Sequence, residues 1–291
     1  MNYLSIMICL SGSEASEQAA RLAWSLAPDL SCYVAAEHVI DSAGPTWLLT
    51  RFNGGFLARE DVGHGYSSLC DSLSTIAEVL KQKYDSVFSP LNLAGSCNID
   101  FGDPVSKLSR KAAFHDLVFV GGQPSGLHPD VLFGLARTCP VPLVVVKSKP
   151  QALSRLAVLA PADHLCARYL RSCSALAGLL KLEVEIIGLG ASEELKAFRV
   201  LLEKAESDWR CSLRHIEPGK DARVVLTTSS DTIVVVPVRS EDEKRITIFG
   251  EEIGSFLSHL DLPLLVIWPE EHDSLGNRFG LTGHAVTGSV S

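Results

Sequence analysis

The sequence contains no apolar run close to the roughly 18 uninterrupted residues of a membrane span, so membrane insertion is not expected. It has no run of five basic residues, and its 34 acidic side chains outnumber 26 basic ones, a formal charge of −8. Such a surface repels a phosphate backbone, and nucleic acid is not an expected partner. No charged leader or cleavage site precedes the first strand-like segment, so no signal peptide is read and the expected compartment is cytoplasmic. The eight cysteines include no C-x-x-C pair. Cys166 and Cys173 lie seven apart on one helical face without a histidine at ligand spacing, and read as small core residues. No His pair has metal spacing on one helix, and no Asp–His–Ser set assembles by proximity in the sequence. No metal site, no catalytic residue and no enzymatic activity beyond a weak ATPase is expected.

What is present is an α/β pattern. Ile6-Met7-Ile8-Cys9-Leu10 reads as a buried strand, followed by the turn Ser11-Gly12-Ser13 and a helix with Ala15, Ala19, Leu22, Ala23 and Leu26 on one face, ended by Pro28. Cys32 to Ile40 is a second strand. Residues 42–66 break the pattern with Gly44-Pro45, Gly54-Gly55 and Gly63-His64-Gly65 among aromatics, and read as an insertion offering a contact surface. A long helix follows, with Leu69, Leu73, Ile76, Ala77, Leu80, Tyr84 and Val87 on its stripe. Then come a strand at 96–101, a helix opened by Gly102-Asp103-Pro104, the strand Leu117 to Val120, a helix through Val131, Leu132, Leu135 and Ala136, and the strand Leu143 to Val146.

The same order recurs. Leu156 to Ala160 repeats the first strand, and Leu165, Tyr169, Leu170, Cys173, Leu176, Ala177 and Leu180 repeat its helix. Leu182 to Ile187, a helix over 195–209, strands at 211–216 and 232–236, a helical pattern through Phe249, Ile253, Phe256, Leu257 and Leu260, and Pro263 to Ile267 complete the second copy. The fold class is α/β: two tandem doubly wound domains, each a five-stranded parallel sheet with helices on both faces. The domains span 1–148, with the insertion at 42–66, and 153–270; residues 271–291 read as a flexible tail. The run Glu241-Asp242-Glu243-Lys244-Arg245 reads as a solvated loop.

The segments Ile8 to Ser16, Glu37-His38-Val39-Ile40-Asp41, Gly102-Asp103-Pro104, Asp116 to Gly121 and Cys139 to Val146 together resemble the universal stress protein family over residues 3–147. The second half resembles it more faintly, through Pro263 to Ile267 and element order. The resemblance implies strand order 3-2-1-4-5 in each domain. It also implies a pseudo-dimer of the two domains through their last strands, with homodimerisation and an unidentified protein as further partners. Many members bind ATP, through an Asp ending strand one and a G-x-x-G loop closed nine residues later by G-S or G-T. Here the Asp position holds Ser11, the loop Gly121-Gly122-Gln123-Pro124-Ser125-Gly126 is short, and the closing pair falls near Pro129-Asp130. In the second half Pro161 takes the Asp position, and the loop at 238–245 has no glycine.

Order 3-2-1-4-5 sets the ends of strands one and four side by side, where open α/β sheets bind ligands. Ser11, Gly12, Ser13, Val39, Gly121, Gly122 and Gly126 are the expected lining. Ser11 and Ser13 can hold an anion at the helix N-terminus, or cap the helix, with Glu14 completing a capping box from Ser11. The glycines can approach a ligand or close a tight turn, and His38 reads as structural. No cofactor is assigned. The function expected is a non-enzymatic stress-response or regulatory protein acting by docking or small-ligand sensing; the alternative is an ATP- or AMP-binding member using the first crevice.

Overall fold

A computed structural model describes residues 4–30, 32–41, 59–89, 94–122, 128–148, 153–161, 167–189, 211–216, 231–241, 245–248, 251–252, 262–269, 272 and 275. The chain divides into two compact units, Tyr3–Lys149 and Pro150–Ser291.

In the first unit the apolar run at the N-terminus forms β1 (Ser5–Leu10), and α1 (Glu14–Leu30) follows the serine-glycine turn. Then come β2 (Tyr33–Asp41), α2 (Arg59–Phe88), β3 (Gly95–Gly102), α3 (Pro104–Ala112), β4 (Leu117–Gly121), α4 (Pro129–Thr138) and β5 (Leu143–Val146). The strands pair in parallel in the order β3-β2-β1-β4-β5. Right-handed crossovers that step one way from β1 and the other way into β4 and β5 must place their helices on opposite faces. Accordingly α1 and α2 meet through Trp24, which stacks on Phe88 at 5.1 Å between ring centroids and donates from Nε1 to Tyr84 Oη at 2.6 Å. On the other side Ser109 and Thr138 join α3 to α4 at 2.6 Å.

Residues expected at the boundaries differ in four places. Helix α1 continues through Pro28 to Leu30 instead of ending there. A proline this close to the helix end removes one N–H bond, and the chain leaves two residues later, with Cys32 N bonded to Ala27 O. Residues 59–66, read as the end of the insertion, are the first turns of α2. The helix runs on there against a cost of about 1 kcal/mol for each of Gly63 and Gly65. Residues 42–58 lie outside the described residues. Third, the inward line of α2 is Ala77, Tyr84 and Phe88, whereas Ile76 and Val87 are exposed. One residue step turns a helix by about 100°, so Ile76 falls on the outer flank beside Ala77. Fourth, the sequence reading omitted the docking of residues at the end of the second unit, described below.

A charged set lies between the sheet and α3. Glu37 on β2, only 5% exposed, accepts from Lys111 Nζ at 2.5 Å and from Asn98 Nδ2 at 2.9 Å. Lys111 also stands 3.6 Å from Asp100, which accepts from Lys107 at 3.1 Å. Helix α3 is set over this group by Asp103, whose carboxylate accepts from Ser106 N at 2.7 Å, and by Pro104 in its first turn.

The second unit contains β6 (Arg155–Pro161), α5 (Ala167–Leu180), β7 (Glu183–Leu189), β8 (Cys211–Ile216), β9 (Thr232–Glu241), β10 (Arg245–Ile248), β11 (Glu251–Glu252) and β12 (Leu264–Pro269). Its parallel strands run β12-β9-β6-β7-β8, the same 3-2-1-4-5 arrangement. The helix expected over 195–209 and most of the pattern from Phe249 to Leu260 lie outside the described residues. The charged run from Glu241 to Arg245 is not a free loop at its ends. β9 extends to Glu241, and antiparallel β10 begins at Arg245, directly opposite it in register. Of the residues read as a tail, Leu275 is fully buried, and His272 N donates to Pro269 O at 3.0 Å. Residues 276–291 lie outside the described residues.

Candidate functional site

The β1–β4 ladder ends at Cys9 opposite Val120, and beyond it the two strands part. The turn Ser11-Gly12-Ser13 leaves β1 at this point. Gly12 has φ +77°, a left-handed conformation in which a Cβ is strained, so the turn requires its glycine. Ser13 caps α1: its Oγ accepts from Ser16 N at 3.2 Å, and its carbonyl accepts from Glu17 N at 3.0 Å. Ser16 is 1% exposed; its Oγ accepts from Ser11 N at 3.0 Å and donates to Cys9 O at 3.4 Å. Ser11 and Ser13 hydroxyls bond each other at 2.8 Å. The box expected between Ser11 and Glu14 is not among the bonds formed; instead Ser13 Oγ accepts from Ser16 N while Ser16 Oγ reaches back to Ser11 N. The signal for it is a serine three residues after the cap, where a hydroxyl can reach back to the chain before the helix.

Gly121 and Gly122 close the facing strand end. A Cβ on Gly121 would stand 2.4 Å from Ser16 N, so this glycine lets the first turn of α1 lie directly against the end of β4. A Cβ on Gly122 would meet Lys147 Cγ and Val145 Cγ1 at 2.8 Å, and Gly122 N donates to Val146 O at 2.8 Å. Val39, half-buried, lies one residue beyond His38, whose Nδ1 pairs with Leu10 O at 2.8 Å. The structural reading of His38 holds: the imidazole fastens the end of β1 to β2. Thus Ser11, Gly12, Ser13, Val39, Gly121 and Gly122 do gather at the carboxyl ends of β1, β2 and β4. Gly126 lies outside the described residues.

After β4 the described chain resumes at His128, which caps α4 by accepting from Asp130 N at 3.4 Å. Pro129 occupies the first helical position, and Asp130, its side chain 89% exposed, the next. A carboxylate there already complements the positive helix end, and proline supplies no N–H.

Nearby thiols offer no nucleophile. Burial, with help from Cys139 and Glu37, pushes Cys9 far above the usual thiol range, and burial pushes Cys97 up to about 12. Both stay protonated at neutral pH. At the opposite, amino-terminal end of the sheet the fold joins residues that sequence proximity did not. His115 Nδ1 pairs with Ser5 Oγ at 2.8 Å, and buried Asp116 accepts from Ser5 N at 2.8 Å. Burial holds the His115 imidazole below its ordinary value, against the opposing charges of Glu37 and Asp116. Among the described residues no group of three or more potential metal ligands forms, and no helix is long and apolar enough to cross a membrane.

No family model matches the sequence, and no curated protein matches it significantly. Solved structures do match. A universal stress protein from Archaeoglobus fulgidus superposes over 91% of this chain and 98% of its own, with TM-score 0.64 at 12% identity. A functionally unknown protein from Pseudomonas aeruginosa PAO1 aligns over 95% of both chains, with TM-score 0.54 at 14% identity. A putative universal stress protein from Pseudomonas aeruginosa UCBPP-PA14 covers 95% of this chain and 96% of its own, with TM-score 0.52 at 14% identity. With order 3-2-1-4-5 present twice and neighbours that span both halves, the chain has the tandem α/β fold of the universal stress proteins.

Proposed function

We propose that the chain is a non-enzymatic stress-response or regulatory protein of the universal stress protein type. It acts by docking a partner or sensing a small ligand, with a first-unit crevice no longer furnished for a nucleotide. The observation that supports this reading is the closed hydroxyl circuit of Ser11, Ser13 and Ser16. A phosphate at this helix end would have to displace bonds that already satisfy Ser11 N and Ser16 N, at a cost of about 1 kcal/mol each. Two further features act in the same direction: neutral Ser11 follows β1 where the resemblance implies an acidic nucleotide contact, and Asp130 puts a carboxylate in the first turn of α4, near where the resemblance implies the closing phosphate loop. Ser11, Gly12, Ser13, Val39, Gly121 and Gly122 line the crevice in this reading, and a ligand there would be one that needs few backbone donors.

The test is chemical. The purified protein is denatured and the supernatant assayed for adenine nucleotides. The reading predicts none in stoichiometric amount; ATP or AMP released at one equivalent per chain would overturn it.

A further inference from the structure

The two units differ in what fills the point where their central strands part. Aligning Ile6 to Leu10 with Leu156 to Ala160 makes Leu159 the counterpart of Cys9. The β6–β9 ladder ends at Val158 opposite Val235, one pair earlier in this alignment than the β1–β4 ladder, which ends at Cys9 opposite Val120. In the first unit the carbonyl of Cys9 accepts from the short hydroxyl of Ser16. In the second, the carbonyl of Leu159 accepts from Tyr169 Oη at 3.0 Å, and the same hydroxyl lies 3.4 Å from Val235 O. Tyr169 stands in the first turn of α5 at the place that Ala19 holds in α1. The substitution replaces a methyl by a phenol long enough to reach carbonyls of both strands where their pairing stops.

The ring is enclosed on its other sides as well. Tyr169 is 2% exposed, and Trp268 of β12, fully buried, meets it edge-on at 6.2 Å between centroids. Trp268 Nε1 in turn donates to His272 O at 3.4 Å. Cys173, one helical turn on, is buried as well.

We infer that the Tyr169 phenol occupies the switch-point crevice of the second unit from within, so that this unit takes no ligand there. This goes beyond the functional reading above and stands whether or not the first crevice proves to bind a nucleotide. Removing the side chain converts the crevice into a site for a free phenol: an apolar slot walled by Trp268, with two strand carbonyls at its end as acceptors. A buried apolar cavity of this kind binds a small aromatic of matching shape.

The experiment compares thermal melting of the wild-type chain and Tyr169→Ala with and without p-cresol, using toluene as the ligand without a hydroxyl. The alanine variant should melt several degrees lower. Millimolar p-cresol should raise it, toluene should raise it less, and neither should move the wild type. A Tyr169→Ala melt indifferent to p-cresol, or a wild-type melt raised equally, would overturn the proposal. If the alanine variant does not fold, Tyr169→Phe decides. Loss of the hydroxyl alone should lower the melting temperature, because the buried bonds from the phenol to Leu159 O and Val235 O are lost; an unchanged melt would overturn the proposal.

Discussion

Ser16 and Gly121 carry more of the first crevice than their neighbours. Ser16→Ala removes the acceptor of Ser11 N and the bond to Cys9 O, and should cost about 1–3 kcal/mol. Gly121→Ala forces a methyl against the backbone of Ser16 and should cost at least as much, about 1–3 kcal/mol. Ser13→Ala removes only the cap, for about 1 kcal/mol. Urea unfolding of the three variants checks that order; a Gly121→Ala protein as stable as wild type would show that the close packing of α1 on β4 is wrong. His115 supplies a pH test. Its folded-state value is lowered by burial from 6.5. Between the lowered value and 6.5 the unfolded chain binds a proton that the folded chain does not, so stability rises with pH across that window. The contribution is complete above 6.5 and lost as pH falls through the folded value. The stability difference between wild type and His115→Gln should therefore grow from about pH 5 to about pH 7.5, and a difference independent of pH would contradict the assignment. At this scale the sequence showed where the crevice residues gather, since Ser11-Gly12-Ser13 follows an unambiguous buried run. It did not show that Ser16 completes the cap, because a serine three residues on is a weaker sign than the glutamate beside it.

The elements were legible wherever local chemistry and packing agree. Asp103-Pro104 opens α3 as its composition dictates, and the apolar runs of β1, β4, β5, β6 and β12 lie where expected. Failures fall where tertiary contacts override a local signal. Pro28 sits in a last turn that tolerates it, and Gly63 and Gly65 join a helix held through its later turns by Trp24, Tyr84 and Phe88. The charged stretch after Glu241 resembles solvent-facing loop until Glu241 and Arg245 are seen to share a register position. The charged set under α3 yields a sharper prediction. Lys111→Met leaves the buried Glu37 carboxylate with Asn98 as its remaining described donor and should destabilise by about 3 kcal/mol, whereas Glu37→Gln should cost less because no charge is stranded. Equal costs for the two variants, measured by urea unfolding, would show that the ion pair is not what holds this face.

For the molecule as a whole, duplication was visible because both copies keep the same order of buried runs, and Pro142-Leu143 and Pro263-Leu264 open the last strand of each. What the copies do at their crevices was less visible, because it depends on contacts between residues distant in sequence: Ser16 with Cys9 and Gly121, Tyr169 with Val235. The central claim is that the fold is retained while its nucleotide contacts are not. Thermal unfolding with increasing ATP and, separately, AMP tests it most directly. A ligand present at about 100 times its Kd would stabilise the folded chain by roughly 2.7 kcal/mol. The account predicts an unchanged melting temperature up to millimolar nucleotide; a saturable rise with either nucleotide would contradict it.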